Sequence, residues 1–299
     1  MNYPFPWNGS ELLRKEYEKD NCIITRTGAS TGRVIIFFSS NGIYFPNNEE
    51  GFTDRIIRRD YYDFKNLSSD RLIHDYYELV ILVRDVYKQW YVNGINPRYD
   101  SIDKTAEFLR EITSGLKVTT CGSSAGGYAA VLFAHLLKAE RFFSMSGQFS
   151  IWHQADPSVA PFIYENASCP EKNKYYDISR ITLDGGGYYF WPSECENDKA
   201  QYELVKDSPQ ITILSFKSKQ HGVPFPYCCY PYILSRSSAE LSSIFSGMKK
   251  NVPLRPNIFA LKILPITLYP HVVPGIIRRF IKKIHRGVKK VMRKLKSHR

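Results

Sequence analysis

The sequence predicts an α/β domain whose mostly parallel β-sheet carries helices on both faces, followed by a basic amphipathic helix at the C-terminus. Short apolar segments alternate with helical patterns between residues 79 and 216, which is typical of a parallel sheet. The chain has 299 residues and 43% hydrophobic side chains, so it can bury a sizeable core. We therefore expect one domain over residues 1–250, a Pro-rich apolar linker over 251–274 and a helix over 275–299.

The elements follow one another in a simple order. Residues 22–27 and 33–40 predict two strands around a Gly-containing loop, a pattern that suits a hairpin. Residues 79–83 are all apolar and predict a strand that is buried on both faces. Apolar spacing over residues 101–113 predicts a helix with Ser101 as its N-cap. The remaining predicted elements are strand 116–121, helix 125–138, strand 141–145, strand 187–191, a helix at about 198–206 and strand 211–216.

A Gly-x-Ser-x-Gly motif, Gly122 to Gly126, connects a predicted strand to a helix rich in alanine. In α/β-hydrolase-type domains such a motif holds a serine on a strained strand-to-helix turn and exposes its hydroxyl at the edge of the sheet. The two glycines remove the Cβ atoms that would clash where strand and helix pass closely. We expect Ser124 to be a nucleophile; the alternative is a turn that only packs tightly or holds a phosphate.

The partners of this serine come later in the chain. The order in α/β-hydrolases is serine, acid, then a histidine after the last strand. His221 follows the strand 211–216 and is the one histidine with that placement downstream of Ser124. Asp198, at the start of the preceding predicted helix, is the favoured acid because a carboxylate there can orient the imidazole. The acids that compete with it are Glu194, Glu196 and Asp184.

An acyl-transfer site also needs donors for the oxygen that becomes negative in the transition state. One donor should be the backbone N–H of Ala125, the residue after the nucleophile. The other should come from the loop after strand 33–40, where Asn41 and Gly42 are the candidates. Gly42 could instead serve only to permit the turn.

Three segments resemble bacterial capsule-biosynthesis proteins of α/β-hydrolase fold, a group that includes capsular polysaccharide O-acetyltransferases. They are Phe37–Phe45, Gly122–Tyr128 and Phe143–Gln148, and the resemblance spans roughly residues 20–245. It implies a Ser-His-Asp triad, acetyl-CoA as the co-substrate and a sugar hydroxyl as the acceptor. The basic C-terminal segment is not part of this resemblance.

The residues themselves leave transferase and esterase open, since both pass through an acyl-serine and differ in whether a sugar hydroxyl or water accepts the acyl group. The resemblance favours the transferase. The cysteines include no Cys-x-x-Cys pair, and no His or Cys falls at zinc-finger spacing, so we predict no metal and no bound cofactor. Aromatic side chains that could stack on a sugar are Trp90, Tyr91, Trp152 and Trp191.

Positive charge is concentrated at the C-terminus. Residues 275–299 contain 11 of the 41 basic side chains and no acid, which leaves 30 basic against 29 acidic side chains elsewhere. Apolar residues recur there every three to four positions, which predicts an amphipathic helix lying on an anionic membrane. The residues expected to bind the membrane are Ile277, Phe280, Ile281, Ile284, Lys282, Lys283, Lys289 and Lys290. Nucleic acid is the rival ligand, which the regular apolar stripe disfavours.

The expected location is the cytoplasmic side of the membrane, since the N-terminus has no apolar signal segment. Expected partners are a polysaccharide acceptor, the membrane surface and capsule-assembly proteins, and a homodimer is an open option. A function of a different class also remains open at this stage. The domain could be a non-catalytic scaffold whose basic helix docks a capsule-assembly complex on the membrane.

Overall fold

The structure, a computed structural model, describes residues 5–154, 160–248 and 252–264. Seven strands form one sheet in the order β1-β3-β2-β4-β5-β6-β7. All neighbouring pairs are parallel except β1 with β3. The strands are β1 Cys22–Arg26, β2 Arg33–Phe38, β3 Leu79–Val83, β4 Lys117–Ser123, β5 Arg141–Met145, β6 Gly186–Pro192 and β7 Ile211–Phe216. The predicted fold class, an α/β-hydrolase-type sheet, is confirmed.

The predicted hairpin of the first two strands is wrong. Strand β1 pairs antiparallel with β3, and β2 lies on the other side of β3, parallel to it. The chain therefore reverses direction between β1 and β2, but the loop crosses the end of β3, which lies between the two strands. Local sequence fits a hairpin, but β3 is entirely buried and gains pairing on both sides by lying between the two strands.

Helices cover both faces of the sheet. The α-helices in the described residues are α1 Glu11–Tyr17, α2 Glu49–Phe52, α3 Arg71–Tyr76, α4 Ile102–Ile112, α5 Ala125–Leu136, α6 Pro161–Glu165, α7 Pro170–Asn173, α8 Glu196–Val205, α9 Cys229–Leu234, α10 Ser238–Phe245 and α11 Pro256–Ile263. Alternate residues of β2 belong to two hydrophobic clusters. Val34 and Ile36 pack with α4 and α5, whereas Ile35 and Phe37 pack with α3, α9, α10 and α11. Ser101 caps α4 as predicted, through the N–H of Lys104.

The segment after residue 251 was expected to begin a linker. Its described part returns to the sheet, where Leu254 pairs with the end of β7 and the buried ring of Phe259 contacts Phe216 at a centroid distance of 4.9 Å. These residues are part of the core because apolar side chains at the start of this segment complete one face of the sheet. The predicted membrane-binding helix, 275–299, lies outside the described residues.

The fold brings the carboxyl ends of the six parallel strands to one edge. Ser124 follows β4, Asp198 follows β6 in the first turn of α8, and His221 follows β7. In open α/β sheets ligands bind at this edge, because the loops there converge on a crevice. Among the described residues, no helix is both long enough and apolar enough to span a membrane.

Candidate active site

Ser124 lies between β4 and α5 in a strained backbone conformation, with φ of 55° and ψ of −124°. Few residues other than glycine adopt a positive φ, and such strain is concentrated at functional sites. The turn is fixed by two backbone hydrogen bonds, from Ser124 N–H to Met145 O at 2.9 Å and from Tyr128 N–H to Ser124 O at 3.0 Å. The turn therefore presents the hydroxyl of Ser124 rigidly at the edge of the sheet.

The two glycines of the motif are required by close backbone contacts. A Cβ on Gly122 would lie 2.0 Å from the carbonyl oxygen of Gly126. A Cβ on Gly126 would lie 2.1 Å from the carbonyl oxygen of Phe38, on the neighbouring strand β2. Both distances are far inside van der Waals contact, and backbone atoms are on the other side. The spacing of the motif therefore reflects the packing of the elbow between β2 and α5.

His221 links the serine to the predicted acid. Its Nε2 lies 2.7 Å from Ser124 Oγ, and its Nδ1 lies 2.9 and 3.0 Å from the two carboxylate oxygens of Asp198. With a proton on Nδ1, the imidazole donates to Asp198 and its Nε2 accepts the hydroxyl proton of Ser124. The structure thus brings all three predicted residues into the arrangement in which histidine can act as a general base.

The acid of this group is deeply buried and the histidine is not. Asp198 is 1% exposed, whereas the side chain of His221 is 40% exposed. Of the competing acids, Glu194 and Glu196 are exposed, and Asp184 lies beside the amino ends of β5 and β6, at the opposite edge of the sheet. A buried carboxylate next to Nδ1 holds one tautomer and stabilises the imidazolium when it forms.

The loop that carries His221 is held from the neighbouring strand end. Ser146, just after β5, is fully buried and its Oγ donates to the carbonyl of Gly222 at 2.6 Å. Two residues earlier, Ser144 Oγ donates to the carbonyl of Gly127 in helix α5 at 3.1 Å. The end of β5 therefore contacts both the helix after the nucleophile and the histidine loop. The resemblance included residues 143–148, but it did not predict these contacts.

The three predicted oxyanion donors differ in whether their backbone N–H groups already donate a hydrogen bond. Ala125 begins helix α5, whose first N–H groups have no partner within the helix and lie at its positive end. Asn41 lines the cavity with Ser124, and no described residue accepts a hydrogen bond from its backbone N–H. Gly42 is corrected: its N–H donates to Ser40 Oγ at 3.0 Å, a local turn that removes it as a donor. Ser40 is fixed in turn by Asp63, which accepts from both its N–H and its hydroxyl.

A cavity of about 300 Å³ opens on Ser124, Asp198 and His221. The rest of its lining consists of one indole and five carboxamides: Trp90, Asn41, Gln148, Gln154, Asn197 and Gln201. Within the part of the chain that the structure describes, no lysine or arginine lines this cavity. A larger cavity, about 490 Å³, lies beside β1 and contains none of these residues.

The four aromatic side chains predicted to stack on sugars differ in whether they line the cavity. Trp90 lines the cavity. Tyr91 is fully buried with its hydroxyl on the carbonyl of Ser39, and Trp191 is a core residue stacked on Tyr202. Trp152 is 39% exposed and contacts the ring of Tyr176. Trp90 is thus the aromatic side chain of this set that faces the candidate site.

The loop after β3 carries Trp90 and is organised by a buried carboxylate. Asp85 accepts hydrogen bonds from the backbone N–H groups of Tyr87, Gln89 and Tyr91. Burial raises the pKa of Asp85 to about 6, and these hydrogen bonds oppose the rise. Burial likewise lowers the pKa of Lys88 to about 7, although its Nζ donates to Tyr44 O and Asn47 Oδ1. The role of Asp85 was not predicted, because no local sequence pattern distinguishes this buried aspartate from one on the surface.

No protein-family model and no curated protein matches the sequence. Among solved structures, the capsule O-acetyltransferase of Neisseria meningitidis serogroup A is similar at 13% identity, covering 67% of this chain and 85% of that one, with a TM-score of 0.47. The fluorophosphonate-binding serine hydrolase F of Staphylococcus aureus is similar at 13% identity over 74% and 93% of the two chains, also with a TM-score of 0.47. An α/β serine hydrolase of Xanthomonas campestris matches at 12% identity over 65% and 76%, with a TM-score of 0.38.

No group of three or more His, Cys, Asp or Glu side chains within the described ranges is arranged to hold a metal ion. The described residues of the site supply a nucleophilic hydroxyl, a base, a buried acid and two candidate N–H donors.

Proposed function

We propose that this protein is a serine-dependent O-acetyltransferase that moves an acetyl group from acetyl-CoA, through acyl-Ser124, to a hydroxyl of a capsular or surface polysaccharide. The observation that carries the proposal is the position of His221, within hydrogen-bond distance of both Ser124 and Asp198. Nucleophile, base and orienting acid in this order are the components of covalent acyl transfer. The resemblance of the three sequence segments supports the choice of donor and acceptor.

In the first half-reaction, Ser124 Oγ attacks the thioester carbonyl of acetyl-CoA while His221 Nε2 takes the hydroxyl proton. The oxyanion of the tetrahedral intermediate accepts from the N–H groups of Ala125 and Asn41. The carbon–sulfur bond then breaks, and the imidazolium of His221 returns its proton to the departing sulfur of coenzyme A. Asp198 stabilises the imidazolium throughout and keeps its own proton state. Acetyl-Ser124 and free coenzyme A remain.

The second half-reaction uses the same groups in reverse. His221 removes a proton from a sugar hydroxyl, whose oxygen attacks the acetyl carbonyl of acetyl-Ser124. A new carbon–oxygen bond to the sugar forms as the bond to Ser124 Oγ breaks, and His221 returns the proton to the serine. The carboxamides of the cavity suit this acceptor, since amide side chains both donate to and accept from hydroxyl groups.

The test is mass spectrometry of the protein after incubation with acetyl-CoA. We expect a single acetyl group on the peptide that contains Ser124, because the acyl-enzyme is an obligate intermediate. The acetyl group should be absent in a His221→Ala variant, which lacks the base, and retained in a His135→Ala variant, whose histidine lies on helix α5 outside the cavity. Acetylation at lysines alone, with Ser124 unmodified, would contradict the proposal.

An esterase that deacylates a polysaccharide or a small ester is the second candidate. The observation that favours it is the exposure of His221, whose side chain is 40% accessible and therefore open to water. The two activities share acetyl-Ser124 and differ in its fate. Adding sugar acceptors to preformed acetyl-enzyme should yield an acetylated sugar if the protein is a transferase, and only acetate if it is an esterase.

We further propose that residues 275–299 hold the enzyme on the anionic inner face of the cytoplasmic membrane, near capsule-assembly proteins. The support is the sequence pattern, 11 basic side chains and no acid around an apolar stripe. The full chain should sediment with vesicles containing phosphatidylglycerol and stay in solution with phosphatidylcholine alone. The double variant Lys282→Glu/Lys283→Glu should bind at least about 30-fold more weakly, since two attractive charges are lost at about 1 kcal/mol each and the two new carboxylates are repelled by the anionic surface.

The matched control for that experiment is Lys117→Glu/Lys138→Glu, which makes the same change at two exposed lysines of the domain. This control should bind vesicles like the original protein. Equal weakening by both double variants would indicate attraction through net charge alone and would exclude a specific membrane-binding helix.

A further inference from the structure

One carboxamide of the cavity has its orientation fixed by its partner. Gln148, 5% exposed, accepts at its Oε1 a hydrogen bond of 3.1 Å from Trp90 Nε1. An indole N–H can only donate, so the oxygen of the amide must face Trp90 and the nitrogen must face away. No described residue accepts from Nε2 of Gln148, and this atom is not among the fully enclosed polar atoms without a partner. It is therefore a free donor in contact with the cavity.

A second carboxamide also has a fixed orientation, which leaves it an acceptor where Gln148 has a donor. Asn41 Nδ2 donates to the carbonyl of Lys88 at 3.4 Å. A carbonyl can only accept, so the amide nitrogen faces Lys88 and the Oδ1 of Asn41 is left as an acceptor. The amide of Gln201 is held by the backbone instead: its oxygen accepts from the N–H groups of Phe149 and Ser150 and its nitrogen donates one N–H to the carbonyl of Ser150.

Both orienting contacts come from one strained loop. Lys88 and Trp90 have φ of 55° and 53°, and Tyr91 has φ of 62°. A left-handed conformation at a residue other than glycine costs about 1 kcal/mol or more and persists only where the surroundings impose it. Here the buried carboxylate of Asp85 imposes it through three backbone N–H groups. Strain of this kind, next to a nucleophile, points to a functional reason for the conformation.

We propose that Gln148 is a specificity-determining residue that donates a hydrogen bond to a hydroxyl flanking the one that is acetylated, with Asn41 Oδ1 accepting from a hydroxyl of the same unit. The inference rests on the proposed function in one respect, namely that the alcohol side of the ester occupies this cavity. Hydroxyl groups satisfy a fixed donor and a fixed acceptor together, whereas carboxylate and phosphate oxygens can only accept. None of the described residues that line the cavity is a lysine or an arginine, which agrees with a neutral ligand. The acceptor unit proposed for this position is a neutral polyol.

The test compares two small esters that differ only in flanking hydroxyls, glycerol monoacetate and propyl acetate. The leaving alcohol of hydrolysis occupies the place of the acceptor in transfer, by microscopic reversibility. The wild-type protein should favour glycerol monoacetate in kcat/KM. Gln148→Met keeps the size of the side chain and removes the donor, so it should lower kcat/KM for glycerol monoacetate about fivefold, the effect of one neutral hydrogen bond. Propyl acetate should change by less than about twofold.

Two further variants separate recognition from folding. Trp90→Phe keeps Gln148 but frees its amide to rotate, so it should lower the preference for glycerol monoacetate in the same direction and by a smaller factor. Gln210→Met is the matched control, because the side-chain amide of Gln210 bonds to the backbone of Leu183 at the opposite edge of the sheet. It should leave the preference unchanged.

Equal loss on both esters in Gln148→Met, or no loss on either, would overturn the inference. A protein that fails to form acetyl-Ser124 from acetyl-CoA but retains the Gln148-dependent preference would overturn the transferase and keep the inference, since an esterase places the same alcohol in the cavity. Failure of the wild-type protein to release alcohol from either ester, together with failure to form acetyl-Ser124 from acetyl-CoA, would overturn both.

Discussion

Replacing Ser124 by alanine should lower acyl transfer by about 10⁴- to 10⁶-fold, the range found when the nucleophile of a serine enzyme is removed. Without Oγ no acyl-enzyme forms, and His221 has no hydroxyl to activate. The fold should remain, because alanine keeps the Cβ and the backbone hydrogen bonds to Met145 and Tyr128 hold the turn. The measurements are the rate of acetyl transfer, labelling by a fluorophosphonate and thermal unfolding.

Ser123 provides the matched control for this substitution. It is the preceding residue, the last of β4, and 8% exposed, and the structure gives its hydroxyl no contact with His221. Ser123→Ala should retain labelling and activity to within a few fold. No labelling of the original protein, together with no acetyl transfer above background in either the original protein or Ser124→Ala, would support a non-catalytic scaffold that docks capsule-assembly proteins on the membrane.

Replacing Asp198 by asparagine should lower kcat by about 10⁴-fold, as this change does in a serine protease triad. An asparagine amide presents N–H groups to His221 Nδ1, so the imidazole adopts the tautomer with its proton on Nε2. That proton faces Ser124 Oγ, and the nitrogen no longer accepts the hydroxyl proton. The substitution is nearly isosteric, so the buried site should keep its shape, which circular dichroism and thermal unfolding would check.

Glu196→Gln is the control for the acid, since Glu196 lies in the same first turn of α8 and is exposed. It should change kcat by less than about twofold, as surface substitutions usually have small effects. The assignment of Asp198 would be wrong if Glu196→Gln and Asp198→Asn lowered kcat by similar factors, or if Asp198→Asn left it unchanged.

The elbow and the order of its partners could be predicted because each depends on local sequence. Gly122, Ser124 and Gly126 encode a turn whose steric requirements are visible in three residues, and His221 and Asp198 are placed by the strands before them. The hairpin failed for the opposite reason. Whether β1 pairs with β2 or with β3 is decided by which arrangement best buries residues 79–83, and that competition spans about sixty residues of chain.

The parts of the site that were not predicted depend on burial and on contacts that local sequence does not encode. The N–H of Gly42 donates to Ser40, which is held by the distant Asp63. Asp85 binds backbone N–H groups of its own loop and becomes important because it is buried, whereas the amide of Gln148 is oriented by Trp90 on the loop after β3. A buried carboxylate or a fixed amide has no signature in a single sequence. The linker predicted from residue 251 rested on repeated prolines and on Lys262, a local pattern that does not reveal the core contacts of Phe259 in the helix Pro256–Ile263.

Residues at the end of β5 and just after it hold three parts of the site. Ser144 holds the helix that follows the nucleophile, Ser146 holds the histidine loop, and Gln148 contacts Trp90 in the lining of the cavity. Regions that share buried hydrogen bonds with a central strand open together with it, as one cooperative unit. We therefore expect the nucleophile, the base and Gln148 to lose their alignment together when the end of β5 opens, at a lower cost than unfolding of the whole sheet.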